Sequence, residues 1–316
     1  MHQINKIRIC KNILNSIGGK HMAMIIALAS GKGGVGKTAL TAALSLALCK
    51  KGKQVLAVDA DMGLRNLDLM FGVQDEVFYD LGDILKQRCR VKDAIISIEP
   101  GLDFLAASQK HTWEKIDAAT FQFWVDKLSK KYDYVLIDSP PGRGYAYREA
   151  TAIADQIFFI VAPTWTSLRD AARVTQYCRK HKKFNYSVIL NNFSRISGYT
   201  LSVSDALDSL QLESLAGILP HDKVVEKALY EGSIDILLDS AFWRALQQTV
   251  RFIAEGKDIA EEEIREWLVT NDETALGQEA YSSVSPVARK SPRYADFHSS
   301  ITRRRMQSQG WRRYRR

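Results

Sequence analysis

The sequence predicts an α/β fold, with a doubly wound, mainly parallel sheet that carries helices on both faces. Three observations support this. Short apolar runs recur along the chain, helix-length amphipathic segments lie between them, and a glycine-rich loop joins the first run to the first helix. Each run is continuous rather than alternating, which is typical of strands that are buried on both faces. Strands that alternate with helices in this way indicate repeated βαβ units.

The predicted elements follow one another along most of the chain. The apolar runs are Met24–Ala29, Val55–Val58, Leu102–Ala106, Tyr134–Ile137, Ile157–Val161, Ser187–Leu190 and Leu215–Leu219. The amphipathic segments include Thr38–Lys51, Thr120–Lys131, Leu168–Arg179 and Val203–Leu210, and a last helical pattern extends from Ser240 to about Leu268.

Basic residues are concentrated at the two ends of the 316-residue chain, whose net charge is +8. Residues 1–21 contain four basic and no acidic residues, residues 271–316 contain ten basic and four acidic ones, and the stretch between them is mildly acidic. The last segment is rich in Ser, Gly, Pro and Arg, a composition that argues against a packed fold. We therefore predict one folded domain, residues 22–270, between a flexible N-terminal extension (1–21) and a basic low-complexity tail (271–316). The sequence leaves the start of translation open between Met1, Met22 and Met24.

Cysteine usage and hydropathy exclude several classes of protein. The four cysteines are scattered without a CxxC pair, which fits a reducing cytosol and excludes a disulfide framework or a cysteine-based metal knuckle. No apolar run approaches the ~18 residues that a membrane-spanning helix needs. The basic N-terminus lacks the apolar centre of a signal peptide. We expect the folded domain to be cytosolic.

The strongest chemical signal is the loop SGKGGVGKT, residues 30–38, between the first strand and the first helix. It contains the GxxxxGK[ST] spacing of a P-loop in the required strand–loop–helix context. Glycines let backbone N–H groups converge on phosphate oxygens, and the helix N-terminus adds its positive dipole end. We expect Lys37 to reach the terminal phosphates and the Thr38 hydroxyl to ligate Mg²⁺. The predicted nucleotide-binding residues of the loop are Gly31, Lys32, Gly33, Gly34, Val35, Gly36, Lys37 and Thr38.

A second lysine, Lys32, lies inside this loop. A lysine so close to bound phosphate is expected to meet an anion itself. That anion is either a phosphate of its own nucleotide or one that is held by a second subunit. The residues alone leave both open.

Acidic residues follow two of the predicted strands. Asp59 and Asp61 come after the second run, and Asp138 comes after the fourth. The carboxyl ends of parallel strands face the crevice that contains the P-loop. We expect Asp138 to hold Mg²⁺ through water and one of Asp59 and Asp61 to position the attacking water. The alternative is that these residues cap helices or form turns, as isolated Asp residues usually do.

The base of the nucleotide is predicted to be adenine. A guanine site needs an NKxD-type sequence after a late strand, and the corresponding stretch here, Asn191-Asn192-Phe193, lacks the acid. Asn191 could contact a purine edge, although a turn asparagine is nearly as plausible. ATP and Mg²⁺ are therefore the expected cofactors.

At these residues the chain resembles the ParA/MinD family of P-loop ATPases. KGGVGKT at 32–38 resembles the deviant Walker A loop of that family, and DADMGLRNLDL at 59–69 resembles the switch region of its MinD branch. Further similar segments are residues 79–81, 106–109, 138–142, 167–170, 202–205 and 217–220. The resemblance extends over about residues 22–255.

The resemblance implies a slow, partner-stimulated ATP hydrolase that forms a homodimer with ATP. Lys32 matches the signature lysine that crosses to the partner's phosphates, and Asp61 matches the acid needed for hydrolysis, with Asp59 beside it. The other matches are Lys37 and Thr38 for phosphate and Mg²⁺, Asp138 for Mg²⁺, Asp170 for an acid that can hold Lys32 when no partner is present, and Asn191 and Pro220 near the adenine.

The MinD branch implies placement of the division septum from the inner face of the cell membrane. It also implies a hydrolysis-stimulating protein partner and a division inhibitor or other cargo. A clean copy of that branch's C-terminal amphipathic helix is not found. The chain instead has seven arginines in its last fourteen residues, with Trp311 and Tyr314 among them. This tail suits an anionic membrane surface, suits DNA, or is simply solvated.

The alternatives within the family are a ParA-like partition ATPase that binds DNA non-specifically and a flagellar placement regulator. Outside it, a metal-cluster carrier is disfavoured because a CxxC pair is lacking, and a tyrosine kinase is disfavoured because the tail tyrosines are dispersed. A non-catalytic nucleotide sensor is a further alternative.

Overall fold

The structure is a computed structural model that describes residues 22–113, 117–142, 144–180, 185–193, 202–212 and 214–256. The predicted extension (1–21), the predicted tail (271–316) and the end of the predicted folded domain (257–270) lie outside the described residues.

The described residues form one eight-stranded sheet in the order β3-β4-β2-β5-β1-β6-β7-β8. All neighbouring strands are parallel except β3 and β4. The strands are β1 Met24–Ala29, β2 Val55–Asp59, β3 Ile95–Glu99, β4 Leu102–Leu105, β5 Tyr134–Asp138, β6 Gln156–Val161, β7 Tyr186–Phe193 and β8 Gly217–Pro220. The predicted α/β class and all seven predicted strands are confirmed.

The eighth strand, β3, was not predicted. It lies at the edge of the sheet and pairs antiparallel with β4, with Ile95 opposite Leu105. Its side chains are only partly buried. It therefore lacks the continuous apolar run by which the other strands were found.

Helices connect the strands. They are α1 Lys37–Lys50, α2 Leu67–Phe71, α3 Leu81–Leu85, α4 Val91–Ala94, α5 Ala118–Ser129, α6 Tyr145–Ala152, α7 Trp165–Lys180, α8 Val203–Leu210, α9 Lys223–Glu231 and α10 Ala241–Glu255, with short 3₁₀ turns at Gln74–Glu76 and Ile234–Leu237. Helix α8 has the predicted bounds because Ser202 and Asp205 form a capping box at its start. The last helical pattern was predicted to continue to about Leu268, and the prediction of one unbroken helix is wrong. Helix α10 ends at Gly256, which adopts a left-handed conformation (φ 67°).

The sheet is covered on both faces. Along β1, Ile25 and Ala27 belong to the hydrophobic core on one face, and Ile26 and Leu28 belong to the core on the other. Helices α5, α7 and α8 contribute to the first core, and α1 and α10 contribute to the second. Because both faces are buried, the strands other than the edge strand β3 are mainly apolar. In the described part of the chain, no helix has the length and apolar character needed to cross a lipid bilayer.

The topology brings the predicted acidic residues together. Strand β5 lies between β1 and β2, and its last residue, Asp138, is in register with Leu28 of β1 and Asp59 of β2. The loop that follows β1 therefore begins beside Asp138, which in turn lies next to Asp59. This is the carboxyl edge of the sheet, where ligands of doubly wound folds bind.

Candidate nucleotide site

A cleft of about 610 Å³ opens at the carboxyl edge of the sheet. It is lined by most of the predicted site residues: Gly33, Gly34, Val35, Gly36, Lys37, Thr38, Asp61, Asn191 and Pro220. Gly31, Lys32, Asp59 and Asp138 are not part of the lining. Asp138 nevertheless contacts two of the lining residues, Lys37 and Thr38.

The glycine-rich loop is held in a conformation that only glycine adopts readily. Gly34 and Gly36 have φ angles of 78° and 85°, and Gly36 precedes α1 as its N-cap. A Cβ atom on Gly36 would lie 2.4 Å from Nδ2 of Asn191. That same nitrogen donates a 2.8 Å hydrogen bond to the carbonyl of Val35. The loop is therefore fastened to the end of β7 by Asn191.

Asp138 is the centre of a buried polar cluster. Its Oδ1 lies 2.5 Å from Nζ of Lys37, and its Oδ2 accepts a 2.7 Å hydrogen bond from the Thr38 hydroxyl. Thr41, which sequence reasoning missed, lies one helical turn after Lys37, donates to its carbonyl at 3.0 Å and approaches Asp138 at 3.4 Å. The i, i+4 spacing from Lys37 could have identified it. The oxygen atoms of Thr38 and Asp138 are the donor type that Mg²⁺ prefers, so these residues fit the predicted ion.

Asp59 is fully buried and shapes the segment that follows β2. Its Oδ1 accepts from the N–H of Asp61 at 2.9 Å, and its Oδ2 accepts from the N–H groups of Asn66 and Leu67 at 3.1 Å each. Burial, followed by the negative charge of Asp138, raises the pKa of Asp59 to about 7. Because both carboxylate oxygens of Asp59 accept hydrogen bonds from backbone N–H groups, the role of this side chain is to hold the loop after β2 in shape.

Asp61 is a half-buried acid that lines the cleft. Burial raises its pKa, an effect that the positive charge of Lys37 opposes. Of the two acids proposed for the attacking water, the geometry favours Asp61, since the oxygens of Asp59 are engaged. The hydrolytic roles of both remain predictions.

Lys32 is exposed on the loop. The preceding Gly31 packs against α7, where an added Cβ would lie 3.1 Å from Cβ of Asp170. Asp170 forms its ion pair with Arg173, at 3.5 Å. Within the described residues, the Lys32–Asp170 pair that the resemblance allowed is therefore not formed.

Comparison with known proteins identifies the family. A family model described as an AAA domain matches residues 23–190. The septum site-determining protein MinD of Helicobacter pylori is 34% identical over 244 residues, which are 73% of this chain and 91% of that protein. The chain belongs to the MinD family of ATPases. The resemblance inferred from the sequence is thereby confirmed.

Solved structures of the MinD family have the same fold. The MinD chain of an Aquifex aeolicus MinC:MinD cell division complex is 36% identical with a TM-score of 0.67, and the match covers 75% of this chain and 98% of that chain. MinD of Pyrococcus horikoshii, complexed with Mg-ADP, is 30% identical with a TM-score of 0.66, over 74% and 97% of the two chains. A ParA family ATPase from Chlorobium tepidum is only 20% identical (TM-score 0.60, covering 73% and 99%), so it shows the fold alone.

Proposed function

We propose that this chain is an ATP-driven switch that helps to determine the site of the division septum. The observation that carries the proposal is the cluster of Lys37, Thr38 and Asp138 beside the cleft that contains Asp61. This cluster combines the groups that phosphoryl transfer needs, namely a phosphate-binding lysine, oxygen ligands for a metal ion and an acid near the expected attacking water. The related MinD proteins are named septum site-determining proteins.

ATP and Mg²⁺ are the proposed cofactors. Lys37 and the backbone of the glycine-rich loop would bind the phosphates, and Thr38 and Asp138 would hold Mg²⁺, which neutralises phosphate charge when bound. Asp61 would orient the attacking water. The Mg-ADP complex of the Pyrococcus relative supports this assignment.

Adenine would lie beside Asn191 and Pro220, which both line the cleft. Oδ1 of Asn191 is buried, and no hydrogen-bond partner is found for it among the described residues. A buried acceptor without a partner costs about 1–3 kcal/mol, so a donor supplied by a ligand would be favourable there. The exocyclic amino group of adenine is such a donor, whereas guanine has a carbonyl at that position.

Lys32 is the residue through which we propose that two copies meet. It is exposed, and it forms no ion pair with a described residue. In an ATP-bound homodimer, it would contact the phosphates that the partner holds. Hydrolysis would be slow and would be stimulated by a protein partner. The Aquifex MinC:MinD complex supports a MinC-like cell division protein as a further partner.

The tail, residues 271–316, is the proposed attachment to the inner face of the cell membrane, which would place a cytoplasmic protein there peripherally. Each arginine near an anionic leaflet contributes ~1 kcal/mol. One tail would bind weakly, and a dimer would present two tails and gain avidity. The nucleotide would thereby control membrane association.

Liposome co-sedimentation tests this switch. Vesicles of phosphatidylglycerol and phosphatidylcholine should retain the protein with ATP and Mg²⁺ but not with ADP, and should not retain Lys32→Ala or a chain truncated after residue 270. Lys51→Ala, which changes an exposed lysine at the end of α1, is the matched control and should behave as wild type. Equal retention in ATP, in ADP and by Lys32→Ala would refute the membrane switch. ATP-dependent retardation of DNA without vesicle binding would favour the ParA-like alternative.

A further inference from the structure

The peptide bond between Ala60 and Asp61 is held at both ends. Its carbonyl oxygen, on Ala60, accepts a 2.8 Å hydrogen bond from Nε1 of Trp113. Its N–H group, on Asp61, donates to Oδ1 of Asp59 at 2.9 Å. A peptide unit is planar, so these two bonds together fix the orientation of the unit from which the Asp61 side chain departs.

The N–H of Ala60 is also engaged, because it donates to the carbonyl of Asp138 at 3.0 Å. The segment is thus tied to β5 just before Asp61. Ala60 itself is fully buried. Together with these backbone contacts, the indole N–H of Trp113 fixes the backbone immediately before Asp61.

Trp113 is itself rigidly placed. Its side chain is 3% exposed, and its ring packs edge-on against Phe121 of α5, with centroids 5.1 Å apart and planes at 83°. The loop that contains Trp113 also contacts residues 59–69, which we call the switch segment. Ser108 accepts a 2.8 Å bond from the N–H of Gly63 and donates its own N–H to Sδ of Met62 at 3.3 Å.

We propose that Trp113 is a positioning residue for hydrolysis, which acts by holding the Ala60–Asp61 peptide so that the Asp61 carboxylate faces the attacking water. The proposal rests on the proposed role of Asp61. No motif in the sequence indicates Trp113, because its contact with Ala60 joins positions 53 residues apart. A misplacement of about 1 Å at a reacting group can cost ~100-fold in rate, so a single hydrogen bond at this point can matter to turnover.

Two substitutions at this position separate positioning from packing. Trp113→Phe keeps an aromatic ring against Phe121 but removes the donor. Trp113→His loses most of the packing, yet its Nε2 occupies the same ring position as the indole nitrogen and can carry a hydrogen. A purely structural role predicts that Phe is tolerated better than His. The positioning role predicts the reverse order for kcat.

Steady-state phosphate release by the full chain, with ATP and Mg²⁺, gives kcat and KM for each variant. We expect Trp113→Phe to lower kcat by about 10- to 100-fold with KM changed less than about threefold, and Trp113→His to retain more of kcat than Phe. Ser108→Ala is the matched control. It removes a buried hydroxyl that bonds His111 at 2.8 Å but leaves the backbone bonds to the switch segment in place, so it should change stability without changing kcat.

The proposal is overturned if Trp113→Phe lowers kcat no more than Ser108→Ala does, or if the His variant is slower than the Phe variant. If one Trp113 variant does not fold, as judged by circular dichroism, the other is compared with Ser108→Ala alone. Asp61→Asn separates the proposed role of Asp61 from the proposed role of Trp113. Unchanged hydrolysis in that variant would refute the role of Asp61, whereas loss of hydrolysis with an unaffected Trp113→Phe would refute the positioning role alone.

Discussion

Lys37 and Asp138 form a buried ion pair across the carboxyl edge of the sheet. Nζ of Lys37 lies 2.5 Å from Oδ1 of Asp138, and the two side chains are 7% and 1% exposed. Removing one member of a buried pair leaves an uncompensated charge, and this typically costs 3–5 kcal/mol. The ion pair joins the P-loop to the end of β5 and holds the Lys37 and Asp138 side chains beside the cleft.

Asp138→Ala should reduce the free energy of unfolding of the nucleotide-free protein by about 3–5 kcal/mol. The loss follows from the buried positive charge of Lys37, and urea denaturation measures it. The control is Lys50→Ala, which breaks the more exposed 2.6 Å pair between Lys50 and Glu99 and should cost no more than about 1 kcal/mol. Equal losses in the two variants would contradict the stabilising role of the Lys37–Asp138 pair.

Gly36→Ala should disrupt the loop more than Gly34→Ala does. Both glycines have positive φ angles, so either substitution costs roughly 1–2 kcal/mol of backbone strain. At Gly36 the new Cβ would also lie 2.4 Å from Asn191, whereas at Gly34 it meets nothing within 4 Å. Thermal unfolding should therefore show the larger loss for Gly36→Ala. Equal melting temperatures would mean that Asn191 moves aside without cost.

Asn191→Ala should weaken ADP binding about tenfold, which corresponds to about 1.4 kcal/mol. The substitution removes the 2.8 Å bond that holds Val35, together with the proposed contact to adenine. Isothermal titration calorimetry gives the dissociation constant. Asn185→Ala, which removes bonds of similar length to the carbonyls of Ala154 and Asp155, is the control and should leave ADP affinity unchanged. A parallel loss of affinity in both variants would point to a general effect on the fold.

Asp59 should make the stability of the nucleotide-free protein dependent on pH. Because burial raises its pKa from 3.8 to about 7, the folded state retains a proton that the unfolded chain has released. The free energy of unfolding should therefore fall as pH rises through this window, by up to about 1.4 kcal/mol per pH unit. Asp59→Asn does not titrate and should show a flatter profile. Urea denaturation from about pH 4 to about pH 8 makes the comparison, and parallel profiles would count against the raised pKa.

The sequence predicts the strands and the nucleotide loop well because their signals are local. The continuous apolar runs of β1 and β2 indicate burial on both faces of the sheet. The glycines of the loop indicate a backbone with positive φ angles. The edge strand β3 is not predicted because its side chains are only partly buried, so its sequence contains no continuous apolar run. The end of α10 is not predicted because the helical pattern of the sequence continues past Gly256.

The sequence does not predict how the two switch aspartates divide their work. Asp59 and Asp61 are indistinguishable by type and differ by two positions. Only the structure places the oxygens of Asp59 on three backbone N–H groups and Asp61 in the cleft. The contacts of Trp113 and Asn191 are likewise set by distant elements of the fold, so no local pattern encodes them.

The proposed switch requires that ATP pairs two copies of this chain through Lys32. Light scattering coupled to gel filtration measures the mass directly, with Asp61→Asn as the background so that ATP persists. With ATP and Mg²⁺ we expect twice the 35.6 kDa of one chain, and with ADP we expect the mass of a single chain. Adding Lys32→Ala should return the mass to one chain in ATP. A mass that does not change with the nucleotide, or a dimer that persists without Lys32, would contradict the claim.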